Sequence, residues 1–378
     1  MDNFHATHML HRLCSGMIPC RKVAGDAQID MKHRIDPQSK QRADPRRPGG
    51  TYGDRDMSKL WNWKAAAVGA AALTSVAAAG FPASAQDSTD PIKIALFDWT
   101  SVNINAKILG GILEKLGDTV EYPTGDYLSS LTTSLTNGDV AVALEYWDTT
   151  AGEAMQASLD TGQTERLGEL GPDAKEDWWY PLYMKEQCPG LPNWEALKEP
   201  ACAAAFSTPE TAPNGRYLGG PVTWEGYDDE RVQALGLPFT VIHAGTDAAM
   251  FAELDSAYQR KAPIMLWVYS PHWAPAKYEG EWVEFPDYTA ECYSDPAWGT
   301  NPDMAYDCSK PHGKIWKFAW IGMKDQWPTA YKVAKAYQID TAELNKMTGE
   351  VDLDGKTIEE VAAAWVDANE AKWRAWAQ

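Results

Sequence analysis

The sequence predicts an α/β fold built as two lobes, the first of which is interrupted by the second. Three observations support this prediction. Strand and helix patterns alternate over residues 86–184, a second set follows over 185–283, and the alternation returns over 311–378. We therefore expect residues 86–184 and 311–378 to form lobe 1, and residues 185–283 to form lobe 2.

The first part of lobe 1 alternates short apolar runs with amphipathic ones, which favours parallel strands joined by helices. The predicted elements are a strand at 92–97, a helix at 103–116, a strand at 119–122, a helix at 127–136 and a strand at 140–146.

Lobe 2 and the return to lobe 1 repeat this pattern around a segment that lacks periodicity. Residues 284–310, here called the acidic segment, are rich in Pro, Asp and aromatic residues, and we expect a long excursion or a disulfide-closed hairpin. A predicted strand at 180–184 stands at the junction of the two lobes. Lobe 2 then has predicted strands at 239–242 and 263–269 with a helix at 247–261. The return to lobe 1 has a strand at 316–323 and helices at 327–337, 341–347 and 357–376.

An export signal precedes lobe 1. A short basic region follows Met57, an Ala-rich apolar run covers residues 65–81, and Ala83-Ser84-Ala85 resembles a cleavage site. The apolar run is shorter than the roughly 20 residues of a membrane-spanning helix. We expect a signal peptide at 57–85, and either a disordered leader at 1–56 or a true start at Met57.

The net charge excludes one class of function. The whole chain carries −19, and removal of the basic leader and signal leaves −24 on residues 86–378. A body this acidic repels nucleic acid, so we expect no nucleic-acid partner.

The cysteines predict two disulfides in the exported chain. Cys14 and Cys20 lie in the leader, and four others remain. An even number in an oxidising compartment is typical of disulfides, and no Cys-x-x-Cys or His cluster supports metal ligation. Among three connectivities we favour local pairing, because each bond closes a short loop: Cys188 with Cys202, and Cys292 with Cys308.

Aromatic residues at strand ends are the candidate binding residues. Sixteen of the tryptophans lie in residues 86–378, and several stand where a predicted strand passes into a loop, which is where open α/β sheets bind ligands. The candidates are Trp99, Trp147, Trp224, Trp267, Tyr269 and Trp273. Rings arranged around a methylated ammonium or N-oxide nitrogen attract its methyl groups by about 0.5 to 2 kcal/mol each.

From about Ile92 to Gln378 the chain resembles the glycine betaine, choline and proline betaine substrate-binding proteins of ABC importers, most of all their trimethylamine N-oxide-binding members. The resemblance rests on Trp147 after Glu145-Tyr146, on Trp224 in its Gly/Pro loop, and on Tyr269-Ser270-Pro271-His272-Trp273. It implies a two-lobed periplasmic binding protein of type II, each lobe a mixed sheet flanked by helices, with the ligand in an aromatic cage between the lobes. It also implies a monomer that needs no cofactor and delivers its ligand to a membrane permease.

Four residues around this motif refine the hypothesis. Family members commonly carry Trp where this chain has Tyr269, with Trp267 two residues earlier on the same strand face, so either ring is a candidate. Glu145 lies two residues before Trp147, and we expect it to face the cleft, where a carboxylate disfavours betaine and favours trimethylamine N-oxide or choline. The alternative is that Glu145 is paired with a cation. His272 is a candidate hydrogen-bond donor to an anionic group, or a brace for its loop.

The acidic segment is a weaker candidate for a structural Ca²⁺ site. Residues 284–308 contain six acids and no Lys or Arg, and a bound cation would relieve their repulsion. The spacing matches no EF-hand, so a solvated acidic face is the alternative. The acids are Glu284, Asp287, Glu291, Asp295, Asp303 and Asp307.

Two other classes of function compete with a binding protein. A secreted glycoside hydrolase could use Glu145 with Asp148 or Glu225 as paired carboxylates, and a carbohydrate-binding module could use the tryptophans on an exposed strand face. The chain has no Gly-x-Ser-x-Gly, no His-Glu-x-x-His and no phosphate-binding loop. We therefore expect a protein that is not an enzyme.

Overall fold

The computed structural model describes residues 87–378. The predicted leader, signal peptide and cleavage site, together with Cys14 and Cys20, lie outside the described residues. None of the helices in residues 87–378 is long and apolar enough to cross a membrane.

The described chain alternates strands and helices. The strands are β1 (Ile92–Lys93), β2 (Val120–Glu121), β3 (Val142–Trp147), β4 (Thr164–Pro181), β5 (Gly215–Gly219), β6 (Phe239–His243), β7 (Leu266–Ser270), β8 (Gly280–Trp282) and β9 (Gly313–Trp320). The helices are α1 (Thr100–Leu116), α2 (Tyr127–Ser129), α3 (Gly152–Asp160), α4 (Pro200–Ala205), α5 (Asp228–Ala234), α6 (Asp247–Arg260), α7 (Trp273–Lys277), α8 (Ala290–Ser294), α9 (Met323–Gln326), α10 (Pro328–Ala336), α11 (Thr341–Asp352), α12 (Ile358–Ala368) and α13 (Glu370–Arg374). A π-helical turn at Ser130–Leu135 continues α2, and short 3₁₀ turns include Val222–Trp224.

The strands form a small parallel pair and one mixed sheet. Strand β1 pairs with β2, and the larger sheet has the order β3-β9-β4-β7-β5-β6, with β8 beside β4. Strand β5 runs parallel to β6 and β7, whereas β9 and β7 run antiparallel to β4, and β9 to β3. The parallel arrangement that the alternation favours therefore holds for only part of the structure.

Strand β4 joins the two halves of the large sheet. Its first part, from Thr164 to Ala174, pairs with β9, and its second part, from Lys175 to Trp179, pairs with β7. Most of this strand was missed in the sequence, because residues 164–175 are largely polar and contain Gly168 and Gly171 in left-handed conformations. The lobe limits near 184 and 185 stay predictions.

Several helix ends follow directly from the sequence. Helix α1 ends at Gly117, whose φ of 107° suits a residue without a side chain. Asp340 and Thr357 begin α11 and α12 with capping boxes, in which each side chain accepts a backbone N–H of the first turn. One face of α1 is buried, and this face packs on α12 and α11.

The acidic segment is not a hairpin. It contains one short helix, α8, and pairs with no strand as a hairpin would. The structure joins Cys292 to Cys308 and Cys188 to Cys202, with Cα–Cα distances of 6.4 and 4.8 Å. This is the local pairing that the sequence favoured.

Candidate functional site

Five aromatic side chains surround an empty space of about 300 Å³ between the two halves of the structure. We call this the aromatic pocket. This volume includes space open to solvent, and the enclosed part is small, which suits a compact ligand. The pocket is lined by Trp99, Tyr127, Trp147, Thr150, Glu176, Trp224 and Tyr269.

Each ring is carried by the end of an element. Trp99 immediately precedes α1, Tyr127 begins α2, and Trp147 is the last residue of β3. Trp224 ends the 3₁₀ turn after β5, and Tyr269 lies in β7. Helices, strands and short turns therefore fix the backbone position of each of the five aromatic residues.

Neighbouring rings of the pocket contact one another edge to face, with interplanar angles close to 90°. Trp99 lies 5.1 Å from Tyr127 at 89° and 6.0 Å from Trp224 at 80°. Tyr269 lies 5.5 Å from Trp147 at 85° and 6.0 Å from Trp224 at 78°. These edge-to-face contacts hold the rings without stacking their faces against one another.

Protein groups occupy most polar ring atoms of the pocket. The Trp99 indole donates to Glu145 Oε2 at 2.8 Å, the Trp224 indole to Asp98 Oδ1 at 3.1 Å, and the Tyr269 hydroxyl to Asp247 Oδ1 at 2.9 Å, while the Tyr127 hydroxyl accepts the Trp147 N–H at 2.9 Å. These bonds set the orientation of the rings and leave aromatic surface for a ligand.

The structure corrects the expectation for Glu145. This side chain is fully buried and does not line the aromatic pocket. Its two oxygens accept hydrogen bonds from Trp99 Nε1, from Ser101 Oγ at 2.9 Å and from Asn105 Nδ2 at 2.6 Å. Burial raises its pKa, and these hydrogen bonds oppose that shift. Glu145 lies on the same strand face as Trp147, but behind Trp99, which it orients.

The carboxyl group that lines the pocket belongs to Glu176, which the sequence reasoning missed. Glu176 is buried, and its Oε1 has no hydrogen-bond partner in the described part of the chain. Burial raises its pKa to about 7, and the positive charge of Lys310 opposes the shift. The available signal was an acid two residues before Trp178 in a run of aromatic residues, but β4 itself was not recognised.

Tyr269, not Trp267, reaches the pocket. Trp267 lies two residues earlier in β7. It is buried, does not line the pocket, and contacts Trp224 with ring centroids 6.0 Å apart. The side chains of residues 267 and 269 share a strand face, so alternation could not separate them.

Trp273 and His272 do not line the pocket either. The Trp273 indole donates to Asp352 Oδ2 at 2.8 Å. His272 is fully buried, stacks on Phe251 at 3.8 Å, and accepts the Ala274 N–H at Nδ1 as the N-cap of α7. Burial lowers its pKa well below the usual value, so the neutral ring braces the loop.

One cluster of possible metal ligands occurs among residues 87–378. Atoms of Asp247, His272 and Asp352 lie within 4.8 Å of one another. Since His272 Nδ1 accepts the Ala274 N–H, its proton stands on Nε2, which lies 3.8 Å from Asp352 Oδ2 and is a donor, not a metal ligand. Burial and the Asp352 carboxylate raise the pKa of Asp247 to about 8, so this carboxyl group is largely protonated at neutral pH and is a poor ligand for a cation.

The possible Ca²⁺ site in the acidic segment finds no support among the described residues. The acids of this segment form no group with metal-ligand spacing within the described chain. Asp307 is instead fully buried and accepts the backbone N–H of Asn301 at 2.6 Å.

Comparison with known proteins gives a family match over most of the chain. The model of the substrate-binding domain of ABC-type glycine betaine transport systems matches residues 90–368. A trimethylamine N-oxide-binding protein of Pelagibacter ubique is 34% identical over 299 residues, which cover 76% of this chain and 91% of that protein. A glycine betaine/proline betaine-binding periplasmic protein of Escherichia coli is 24% identical, covering 73% and 86% of the two chains.

The fold comparison agrees with the sequence prediction. Lactococcal OpuAC, in a closed-liganded conformation complexed with glycine betaine, superposes with a TM-score of 0.60 at 18% identity, covering 76% of this chain and all of that one. The predicted α/β fold, a mixed sheet flanked by helices in a two-lobed arrangement, is therefore confirmed.

Proposed function

The chain belongs to the substrate-binding domains of ABC-type glycine betaine transport systems, and on this basis we propose that it captures trimethylamine N-oxide in the aromatic pocket. As a member of that family it is a substrate-binding protein of a betaine- or choline-type ABC transporter and not an enzyme. The glycoside hydrolase and carbohydrate-module hypotheses are therefore wrong.

The observation that carries the proposal is the combination of five rings with one buried carboxyl group, that of Glu176, whose Oε1 has no hydrogen-bond partner in the described part of the chain. Trimethylamine N-oxide has three methyl groups with positive polarisation and one oxygen with negative charge. Each ring face attracts the methyl groups by about 0.5 to 2 kcal/mol, and a protonated Glu176 donates a hydrogen bond to the oxygen. The near-neutral pKa of Glu176 makes that proton available at physiological pH.

In this proposal Glu176, and not Glu145, supplies the selectivity against a ligand that carries a carboxylate. The carboxylate of glycine betaine has no cation to pair with among the lining residues, and the ionised form of Glu176 repels it, so the pocket disfavours this ligand. Choline carries a full positive charge and favours the ionised form of Glu176. Trimethylamine N-oxide and choline are thus distinguished by pH, since one needs the proton and the other its absence.

Calorimetric titration with trimethylamine N-oxide, choline and glycine betaine tests this function. At pH 6.5 we expect trimethylamine N-oxide to bind more tightly than choline or glycine betaine. Trp147→Ala should weaken the binding of trimethylamine N-oxide by at least about tenfold. Trp298→Ala, a change at a partly exposed ring in the acidic segment, is the control and keeps the affinity of the native protein. Tighter binding of glycine betaine, or equal affinity in the Trp147 variant, would overturn the proposal.

The partner and location follow from the same proposal. A binding protein that encloses its ligand presents a closed form to a membrane permease, and the Escherichia coli relative is described as periplasmic. We propose a periplasmic monomer with Gln86 as its first residue. Amino-terminal sequencing of the exported protein and light scattering test the two statements, and an intact leader or a stable dimer would contradict them.

A further inference from the structure

The acidic segment packs against the loop that carries Trp224. Tyr306 stacks on Tyr227, with ring centroids 4.4 Å apart and an interplanar angle of 14°. The Arg231 Nε donates to the carbonyl oxygen of Cys308 at 3.0 Å. The acidic segment, which has no strand of its own, therefore packs against the loop that carries Trp224, on the side away from the aromatic pocket.

The last residue of this segment, Lys310, is a buried cation at the centre of the contact. Its side chain is 1% exposed, and its Nζ lies 3.4 Å from Asp228 Oδ1. The same ammonium donates to the carbonyl oxygen of Gly226 and stands 4.0 Å from the centre of the Trp267 ring. Its backbone N–H donates to Asp177 Oδ2 at 2.9 Å.

The loop that Lys310 holds adopts a conformation that needs support. Glu225 and Tyr227 have φ values of 52° and 54°, in the left-handed region that side chains other than glycine disfavour. Such residues persist only when their surroundings fix them. Gly226, between them, has no free space either, because a Cβ there would lie 2.0 Å from the Trp267 ring.

We propose that Lys310 is a positioning residue of the aromatic pocket: its ammonium fixes the Trp224 loop through Gly226 and supports Trp267 from behind. The Cys292–Cys308 disulfide restrains the segment that delivers it. The affinity measurement that tests this inference rests on the proposed function, whereas the titration of Glu176 in the ligand-free protein does not.

Lys310 also acts on the ionisation of Glu176, which provides a readout that packing alone would not change. Burial raises the pKa of Glu176, and the Lys310 charge lowers it, while Asp228 and Asp177 raise it. Loss of the ammonium therefore raises the pKa of Glu176 further. Loss of packing alone would let water in and lower it.

The test compares Lys310→Met, which keeps the length of the side chain but removes its charge, with two cysteine variants. Cys292→Ala/Cys308→Ala frees the acidic segment. Cys188→Ala/Cys202→Ala removes a bond of similar loop length, 14 residues against 16, and is the control. Affinity for trimethylamine N-oxide is measured by calorimetry, and the Glu176 carboxyl is titrated by ¹³C NMR in the ligand-free protein.

At pH 6, where Glu176 is already largely protonated in the native protein, we expect Lys310→Met to weaken binding by about tenfold or more, and we expect its Glu176 midpoint to lie at higher pH. Cys292→Ala/Cys308→Ala weakens binding by several-fold, whereas the control variant stays within about twofold of the native protein. A folded Lys310→Met protein with native affinity and an unchanged midpoint overturns the inference. If that variant does not fold, equal affinities of the two cysteine variants overturn it. If the native protein binds no methylated amine, the proposed function fails, and the NMR midpoint alone decides the role of Lys310.

Discussion

The pH dependence of binding is the sharpest consequence of Glu176 in the aromatic pocket. If the oxide oxygen of the ligand needs the proton on Glu176, affinity follows the protonated fraction of that side chain. With a pKa of about 7, roughly 90% of Glu176 is protonated at pH 6 and roughly 10% at pH 8. Affinity for trimethylamine N-oxide should therefore fall about tenfold between these two pH values.

Glu176→Gln separates this effect from other titrations. A glutamine amide donates a hydrogen bond at every pH, so the variant should bind trimethylamine N-oxide with a flat profile from pH 6 to pH 8. Choline should show the opposite trend in the native protein, because the ionised carboxylate attracts its charge. Glu195→Gln, at an exposed position, is the matched control and keeps the native slope.

Isothermal titration calorimetry over this range measures all of these affinities. Two results would refute the reasoning. One is a native protein whose affinity for trimethylamine N-oxide does not change with pH, and the other is a Glu176→Gln variant that retains the native slope.

Three further predictions concern stability and orientation. The pKa of Glu176 in the folded protein lies above its ordinary value of 4.5, so the contribution of this group to stability is complete below pH 4.5 and is lost as the pH rises through 7. Between pH 4.5 and pH 8 the native protein should therefore lose about 3 kcal/mol of unfolding free energy relative to Glu176→Gln. Equal denaturation curves of the native protein at both pH values would contradict this prediction. Glu145→Gln leaves at least one of the donors on Trp99, Ser101 and Asn105 without an acceptor, so urea denaturation should show a loss of about 1 to 3 kcal/mol in the free energy of unfolding. The affinities for trimethylamine N-oxide and for choline should fall by the same factor. A change in the ratio of these two affinities would make Glu145 a selectivity residue. His272→Ala removes the N-cap of α7 and should cost about 1 to 2 kcal/mol, while binding changes far less than in Trp147→Ala; an equal loss of binding would place His272 at the ligand.

The sequence by itself determined the class of fold and the neighbourhood of the pocket. Trp99, Trp147 and Trp224 stand at the ends of elements, and in a sheet fold such ends converge. The two short disulfide loops were also readable, because local pairing closes each one. These features depend on short-range patterns, which a single sequence contains.

Only the tertiary structure decided which carboxyl group enters the pocket. Glu145 and Glu176 both lie on strands beside aromatic residues, and strand periodicity gives the face of a side chain but not its depth. Glu145 is covered by Trp99, whereas Glu176 lies on β4, which passes from one half of the sheet to the other and opens onto the pocket there. Strand periodicity also could not distinguish Trp267 from Tyr269, because both side chains share one strand face. Trp267 is covered by the loop of Trp224, and Lys310, more than eighty residues later in the chain, fixes that loop.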